Sequence, residues 1–159
     1  MEYGIVTVSH KKLLPRIIQI VTGSKWDHVA FYIKSFYVNG VHKKDTIVEM
    51  NVNGIELHSL EKYREGKDIV IHRKTPEINL GKALGFIVKN KNRKYDFWRT
   101  LFFFFKSKDV NSKDSWNCIE FIEELFRDQG IEPFEGKKLT PGKINKKLSS
   151  GRDIIIHSK

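Results

Sequence analysis

The only cysteine of the chain opens its most sharply two-faced segment, Asp114-Ser-Trp-Asn-Cys-Ile-Glu-Phe-Ile-Glu-Glu-Leu-Phe-Arg-Asp-Gln-Gly130. Phe121, Ile122 and Leu125 follow Cys118 at i+3, i+4 and i+7, the spacing of one helical face, while Glu120, Glu123, Glu124, Arg127 and Asp128 make a solvated one. Gly130 supplies the stop. A helix striped in this way must bury its apolar side against another layer. Asn117 or Ser115 can cap its start, so Cys118 falls in the first turn, where unpaired N–H groups and the helix dipole favour a thiolate. The thiolate, not the thiol, is the nucleophile. Taken alone, a cysteine on an apolar face is more often a small buried hydrophobe than a nucleophile, so other parts of the chain must decide.

A length of 159 residues predicts a single domain, 1–159, large enough to bury a core without covalent staples. One cysteine excludes an internal disulfide and any metal site built on several thiolates. The histidines at 10, 28, 42, 58, 72 and 157 show no i, i+4 pairing, so no zinc site is expected. Met1–Ser9 lacks a basic region followed by a long apolar run, and the longest apolar stretch, Leu101–Phe105, falls far short of the roughly 20 residues that span a bilayer. The expected location is cytoplasmic. The formal charge of +10 attracts polyanions, either nucleic acid or an acidic membrane surface. Scattered lysines of this kind are more commonly plain solvated surface.

Taken in order, Tyr3–Ser9 reads as a buried strand, and Leu13, Leu14, Ile17, Ile18 and Val21 line one face of a helix over Lys12–Val21 that Thr22-Gly23-Ser24 ends. A strand follows over Trp26–Ile33, then a polar turn from Gly40 to Asp45, then a strand over Thr46–Asn51 that contains Glu49. Asn53-Gly54 is a hairpin signal that folds Ile55–His58 back on Ile47–Met50. Leu60–Arg64 suits a short helix and Asp68–Arg73 a strand. Thr75-Pro76 and Thr140-Pro141 each read as N-cap and first helical position, the former opening a helix to about Lys89 and the latter one that carries Ile144 and Leu148. Asn90–Lys94 is a basic loop, Tyr95–Phe105 an apolar helix, and Ile154–His157 a closing strand.

A cysteine hydrolase needs a base for the thiol proton and a third polar group to orient that base. His28 and Glu49 suit those roles, each on a strand that holds it rigidly. Glu49 is the more telling of the two, because the apolar strand Ile47-Val48-Glu49-Met50 does not tolerate a carboxylate without a partner. His58, across the Asn53-Gly54 turn, competes with His28 for that partnership.

The ordered set Asp27-His28-Val29-Ala30-Phe31-Tyr32-Ile33, Ile47-Val48-Glu49-Met50 with Gly54-Ile55, Tyr95-Asp96, and Asn117-Cys118-Ile119-Glu120-Phe121 resembles the circularly permuted papain-like hydrolases of the NlpC superfamily, YiiX-like branch. The resemblance runs from about Tyr3 to Gly130. It implies Cys118 as nucleophile, His28 as base and Glu49 as the orienting residue, with Tyr95 and Asn117 as substrate-binding or oxyanion residues. The Asn117-Cys118 pair also resembles the related lecithin retinol acyltransferase-like enzymes, which use a histidine where this chain has Glu49. Many relatives begin with a Gly-Asp pair where this chain has Tyr3-Gly4-Ile5.

The expectation is therefore an α+β domain with a permuted papain-like, NlpC-type fold: an antiparallel sheet of five or six strands packed against the helix that carries Cys118. The expected activity is thiol hydrolysis of an amide, ester or thioester, with no cofactor and no metal. Phe97, Trp98, Leu101 and Phe102–Phe105, flanked by Arg93, Lys94, Lys106 and Lys108, suit an acyl chain or an anionic membrane, although an all-round apolar helix is more often simply buried. The alternatives are an acyltransferase of the same fold, or a basic module without catalysis that binds membrane or nucleic acid.

Overall fold

The computed structural model describes residues 2–11, 13–38, 40–73, 75–95, 115–134, 139–150 and 154–157. Its elements run β1 (Tyr3–His10), α1 (Leu13–Thr22), β2 (His28–Val38), β3 (Val41–Asn51), β4 (Gly54–Ser59), α2 (Leu60–Tyr63), β5 (Lys67–His72), α3 (Leu80–Asn90), β6 (Lys94–Tyr95), β7 (Ser115–Trp116), α4 (Cys118–Arg127), α5 (Pro141–Ser149) and β8 (Ile154–His157). The fold class is α+β. A six-stranded sheet in the order β4-β3-β2-β1-β5-β8 is antiparallel at every pairing, and β6 pairs with β7 in a separate parallel bridge.

Strand alternation divides the core into two sides. Ile5, Val29, Phe31, Ile33, Val48 and Met50 point to the side covered by Ala83, Phe86 and Ile87 of α3, by Phe121, Ile122, Leu125 and Phe126 of α4, and by Ile144 of α5. Val6, Val8, Ala30, Tyr32, Ile47, Ile69 and Ile71 point to the other side, where Tyr63 of α2 packs. The four apolar side chains of α4 are fully buried, worth about 1.5–3 kcal/mol each relative to exposure. The stripe legible in the sequence is thus the one that fastens α4 to the sheet.

Most predicted elements form within a residue or two of their expected bounds, and three do not. The turn expected over Gly40–Asp45 is instead ladder: β2 and β3 pair out to Val38↔Val41, and the Tyr37 and His42 rings stack at 4.7 Å along this ribbon. Cross-strand aromatic pairing outweighs the polar composition there. The helix expected from Thr75-Pro76 begins only at Leu80, capped by Asn79. The Tyr3 hydroxyl donates to the Pro76 carbonyl and accepts from the Ile78 N–H, which pins 76–78 as extended chain against β1. Tyr95 is a strand residue opposite Trp116, not a helix start, and the rest of that predicted helix, 96–105, lies outside the described residues. The Thr140-Pro141 reading holds, with Thr140 as N-cap and Pro141 opening α5.

Two backbone approaches demand glycine. A Cβ on Gly4 would come 2.6 Å from the His72 carbonyl oxygen, and Gly54 adopts φ +102° with Arg93 and Lys91 carbonyls against it. A buried polar cluster then ties α5 to the sheet. Thr7 Oγ1 donates to Asn145 Oδ1 at 2.8 Å, and His72 Nε2 lies 3.2 Å from each of those oxygens. Since the Asn145 oxygen can only accept, His72 carries its proton on Nε2, and Nδ1 is buried with no partner among the described residues.

Burial, opposed by the bond to Asn145, holds His72 below the ordinary histidine range. In the acidic window below the ordinary value the unfolded chain binds this proton first, so the stability that His72 supplies at neutral pH is lost as pH falls. Urea unfolding at pH 7.5 and 5.5 should show a larger loss on acidification for the native chain than for His72→Gln. Equal losses would contradict this account of the cluster.

Candidate active site

Two strand ends and one helix start converge. His28 is the first residue of β2 and Glu49 lies two residues before the end of β3. In register, Glu49 falls opposite Glu56 of β4, on the side of the sheet that carries Tyr63. His28 Nε2 and Glu49 Oε2 are 2.9 Å apart and both side chains are buried. A carboxylate only accepts, so Nε2 carries hydrogen, and Nδ1 is the nitrogen left for the thiol. Cys118 acts on this ring as hydrogen-bond partner and as charge.

Burial works against the charged form of His28, but Cys118 and then Glu49 outweigh it and raise its pKa to about 10. Burial likewise disfavours Glu49 as an anion, yet the bonds from His28, Tyr63 and Asn51 hold its carboxyl far below the usual range. The Tyr63 hydroxyl donates to Glu49 Oε2 at 2.5 Å, and burial and the Glu49 charge push Tyr63 well above the ordinary tyrosine value. Asn51 Nδ2 donates to Glu49 Oε1 at 3.2 Å. The carboxylate is therefore an acceptor with every partner a donor, the condition for keeping a charge in the interior.

At the helix start, Asn117 is the N-cap. Its side chain accepts from the N–H groups of Ile119 and Glu120, and Glu120 reaches back to the Asn117 N–H. The capping box accounts for the Asn117 side-chain oxygen. The cap leaves the Cys118 N–H, one of the first-turn donors that no helical carbonyl reaches. Tyr95 packs partly buried against the same core cluster as Cys118 and is held opposite Trp116. Trp116 in turn stacks on Phe86 at 5.5 Å, and the Arg93 guanidinium lies over the Trp116 ring, 4.1 Å from its centre.

The competition between His28 and His58 resolves in space. His58 Nε2 is 3.2 Å from Glu49 Oε1 and 3.4 Å from Glu56 Oε2, ion-pair distances without an aligned hydrogen bond. It attends the opposite oxygen of Glu49, whereas Cys118 acts on His28. Glu49, Glu56 and His58 each offer a ligand atom within 4.8 Å of the others, the one such metal-capable group among the described residues. Asn51 Nδ2 donates to the same oxygens, Glu49 Oε1 at 3.2 Å and Glu56 Oε2 at 2.6 Å. A cation there has to displace that amide, so the fit is poor.

Sequence reasoning missed Tyr63 and Asn51, and also a second carboxylate–imidazole pair beside the first. Asp27 Oδ1 lies 2.5 Å from His10 Nδ1, and Asp27 Oδ2 accepts from the His10 N–H at 2.8 Å and from Gln19 Nε2 at 2.6 Å. The His10 and His28 rings meet edge to face, 5.8 Å between centres. The signal available was the Asp27-His28 dipeptide itself, an acidic residue at a strand start that needs a partner.

The site is thus a buried cysteine–histidine–glutamate arrangement on an α+β fold. No family model and no curated protein matches the sequence. Among solved structures, the fold is similar to that of the metalloprotein YiiX from Escherichia coli O157:H7, with a TM-score of 0.58 and 16% identity over 82% of this chain and 68% of that one. The likeness is one of fold.

The ionic character of the site is directly measurable. Because the folded chain keeps the His28 proton to about 10 and the unfolded chain loses it near 6.5, the pair stabilises fully at low pH and its contribution is lost as pH rises through that interval. Ring NMR should find His28 still protonated at pH 8, with a clear fall in its pKa in Cys118→Ala. Titration of His28 near 6.5 in the native chain would contradict the pairing.

Proposed function

We propose that this protein is a cysteine hydrolase with a permuted papain-like fold, acting on an amide, ester or thioester through a covalent acyl-enzyme. The observation that carries the reading is the coupling of Cys118, at a capped helix start, to a buried histidine whose other nitrogen is held by a buried carboxylate. The likeness to YiiX bears on the fold alone. That neighbour is described as a metalloprotein, but the poor fit at Glu49, Glu56 and His58 gives no step through a metal here.

Cys118 as thiolate attacks the substrate carbonyl carbon. The developing oxyanion is met by the Cys118 N–H, with Tyr95 as the side chain expected to wall this region. The tetrahedral centre collapses, the bond to the leaving group breaks, and His28 gives its proton to that group. Water then releases the acyl group and the thiolate returns. Glu49 keeps the imidazole in one tautomer and orientation throughout, and stabilises its charge. Tyr63 and Asn51 hold Glu49.

An acyl or lipid-linked substrate is the substrate class we favour, with peripheral contact to an anionic membrane. The described residues add a specific observation: Ile17 and Ile20 of α1 are 46% and 80% exposed beside Arg16, the pairing of apolar and basic side chains that suits a lipid surface. Residues 97–108, on which the sequence argument rested, lie outside the described residues, while their basic neighbours Arg93 and Lys94 lie within them.

Turnover of p-nitrophenyl esters tests the reading. Cys118→Ala and His28→Ala should each lower kcat/KM by about 10³-fold or more, Glu49→Gln by less than either, and His58→Ala should stay close to the native value. Native-like turnover in folded His28→Ala would remove the base. Rates that do not rise with acyl chain length, together with no binding to phosphatidylserine vesicles at low salt, would remove the lipid component and leave a small amide or peptide.

A further inference from the structure

We infer that His10, fixed by Asp27, is a positioning residue of this site: its ring packs edge to face on the His28 imidazole and holds it in the plane from which it serves both Glu49 and Cys118. The inference rests on the hydrolase reading above.

His28 needs such a support because it begins its strand. Val8 of β1 lies directly opposite it in register, and no earlier β2 residue flanks it. β1 runs two residues further, to His10, and side chains two apart on a strand share a face. His10 is therefore the diagonal neighbour of His28 across the β1–β2 ladder, a relation within reach of ring contact. The rings meet directly, 5.8 Å between centres and 63° between planes, inside the range of edge-to-face pairs. The partners of His28 at its nitrogens, Glu49 and Cys118, act in the plane of the ring. Such bonds tolerate some bending, whereas a ring packed against the imidazole resists tilt by contact.

His10 is itself held still. Asp27 Oδ1 lies 2.5 Å from its Nδ1, and Asp27 Oδ2 accepts from its backbone N–H at 2.8 Å. Gln19 Nε2 donates to Asp27 Oδ2 at 2.6 Å and to the His10 carbonyl at 3.1 Å, and the Asp27 N–H donates to the Val8 carbonyl. The Asp27 side chain is 2% exposed against 18% for His10, so the brace is anchored in the interior while its ring reaches toward the surface. A tether between β1 and the start of β2 would use these same bonds to Asp27. It would not need a ring against His28, and the two accounts part at that imidazole.

The experiment compares native protein, His10→Ala and the double variant His10→Phe/Asp27→Asn by p-nitrophenyl acetate turnover, ring NMR of His28 and thermal unfolding. The double variant keeps an aromatic ring beside His28, removes the charge that would lose its imidazole partner, and leaves a side-chain oxygen for Gln19 and the backbone N–H. In His10→Ala, kcat should fall about tenfold with KM close to native, and His28 should titrate below the native value of about 10. The double variant should recover most of both losses. Native kcat and His28 titration in folded His10→Ala, whatever its thermal stability, would overturn the inference and leave a tether. So would a folded double variant as impaired as His10→Ala. If His10→Ala does not fold, the double variant decides alone: kcat within a few fold of native supports the brace, and a loss of tenfold or more overturns it. Absence of turnover by native protein would instead overturn the hydrolase reading.

Discussion

A carboxylate buried beneath a sheet must find positive charge or donors, and Glu49 sets the terms for everything around it. An unpaired anion in that position costs several kcal/mol. The structure meets the demand with His28, Tyr63 and Asn51. Held by Glu49 at one nitrogen, His28 is favoured as a cation, and Cys118 at the start of α4 is its other partner. Fold and site thereby constrain each other: the register that places Glu49 beside His28 also aims the apolar faces of β2 and β3 at Phe121 and Leu125. A slip of one residue in that register would turn both sets to the wrong side.

Much of this was legible in the chain because local rules and tertiary demand agree. The α4 stripe, its stop at Gly130, the Asn53-Gly54 hairpin and the Thr140-Pro141 start all form as written. Cys118, His28 and Glu49 come together, and an apolar strand with one glutamate was the strongest clue. What was not legible depended on partners far away in sequence. The Tyr3 hydroxyl overrides a good helix start at Thr75-Pro76, from 73 residues away. Tyr63 comes from a helix of only four residues, too short to carry a pattern. Asp27 reads as part of a motif, and only the meeting of β1 with the start of β2 reveals its partner to be His10.

The start of α4 is held by the same kind of mutual constraint. Asn117, expected to contribute to substrate binding or the oxyanion, is occupied as a cap, and its value to the site is indirect. By taking the Ile119 and Glu120 N–H groups it fixes the first turn and so the direction of the Cys118 N–H and thiol. The parallel bridge of Tyr95 with Trp116 delivers the chain to that cap at a set angle. The position of Cys118 is thus set by backbone constraints on both sides of it. Among the described residues no helix is long and apolar enough to cross a membrane, and the lipid contact proposed for α1 is one made at the surface.

The proposed function rests on the coupling of Cys118 to His28, and one rate tests that most directly: alkylation of Cys118 by iodoacetamide at pH 6, located by peptide mass, in native protein and in His28→Ala. Rapid modification of the native chain is expected, with a loss of about tenfold or more without the imidazole. Equal, slow rates in the two proteins would contradict the pairing, and would make Cys118 a small apolar residue of the core.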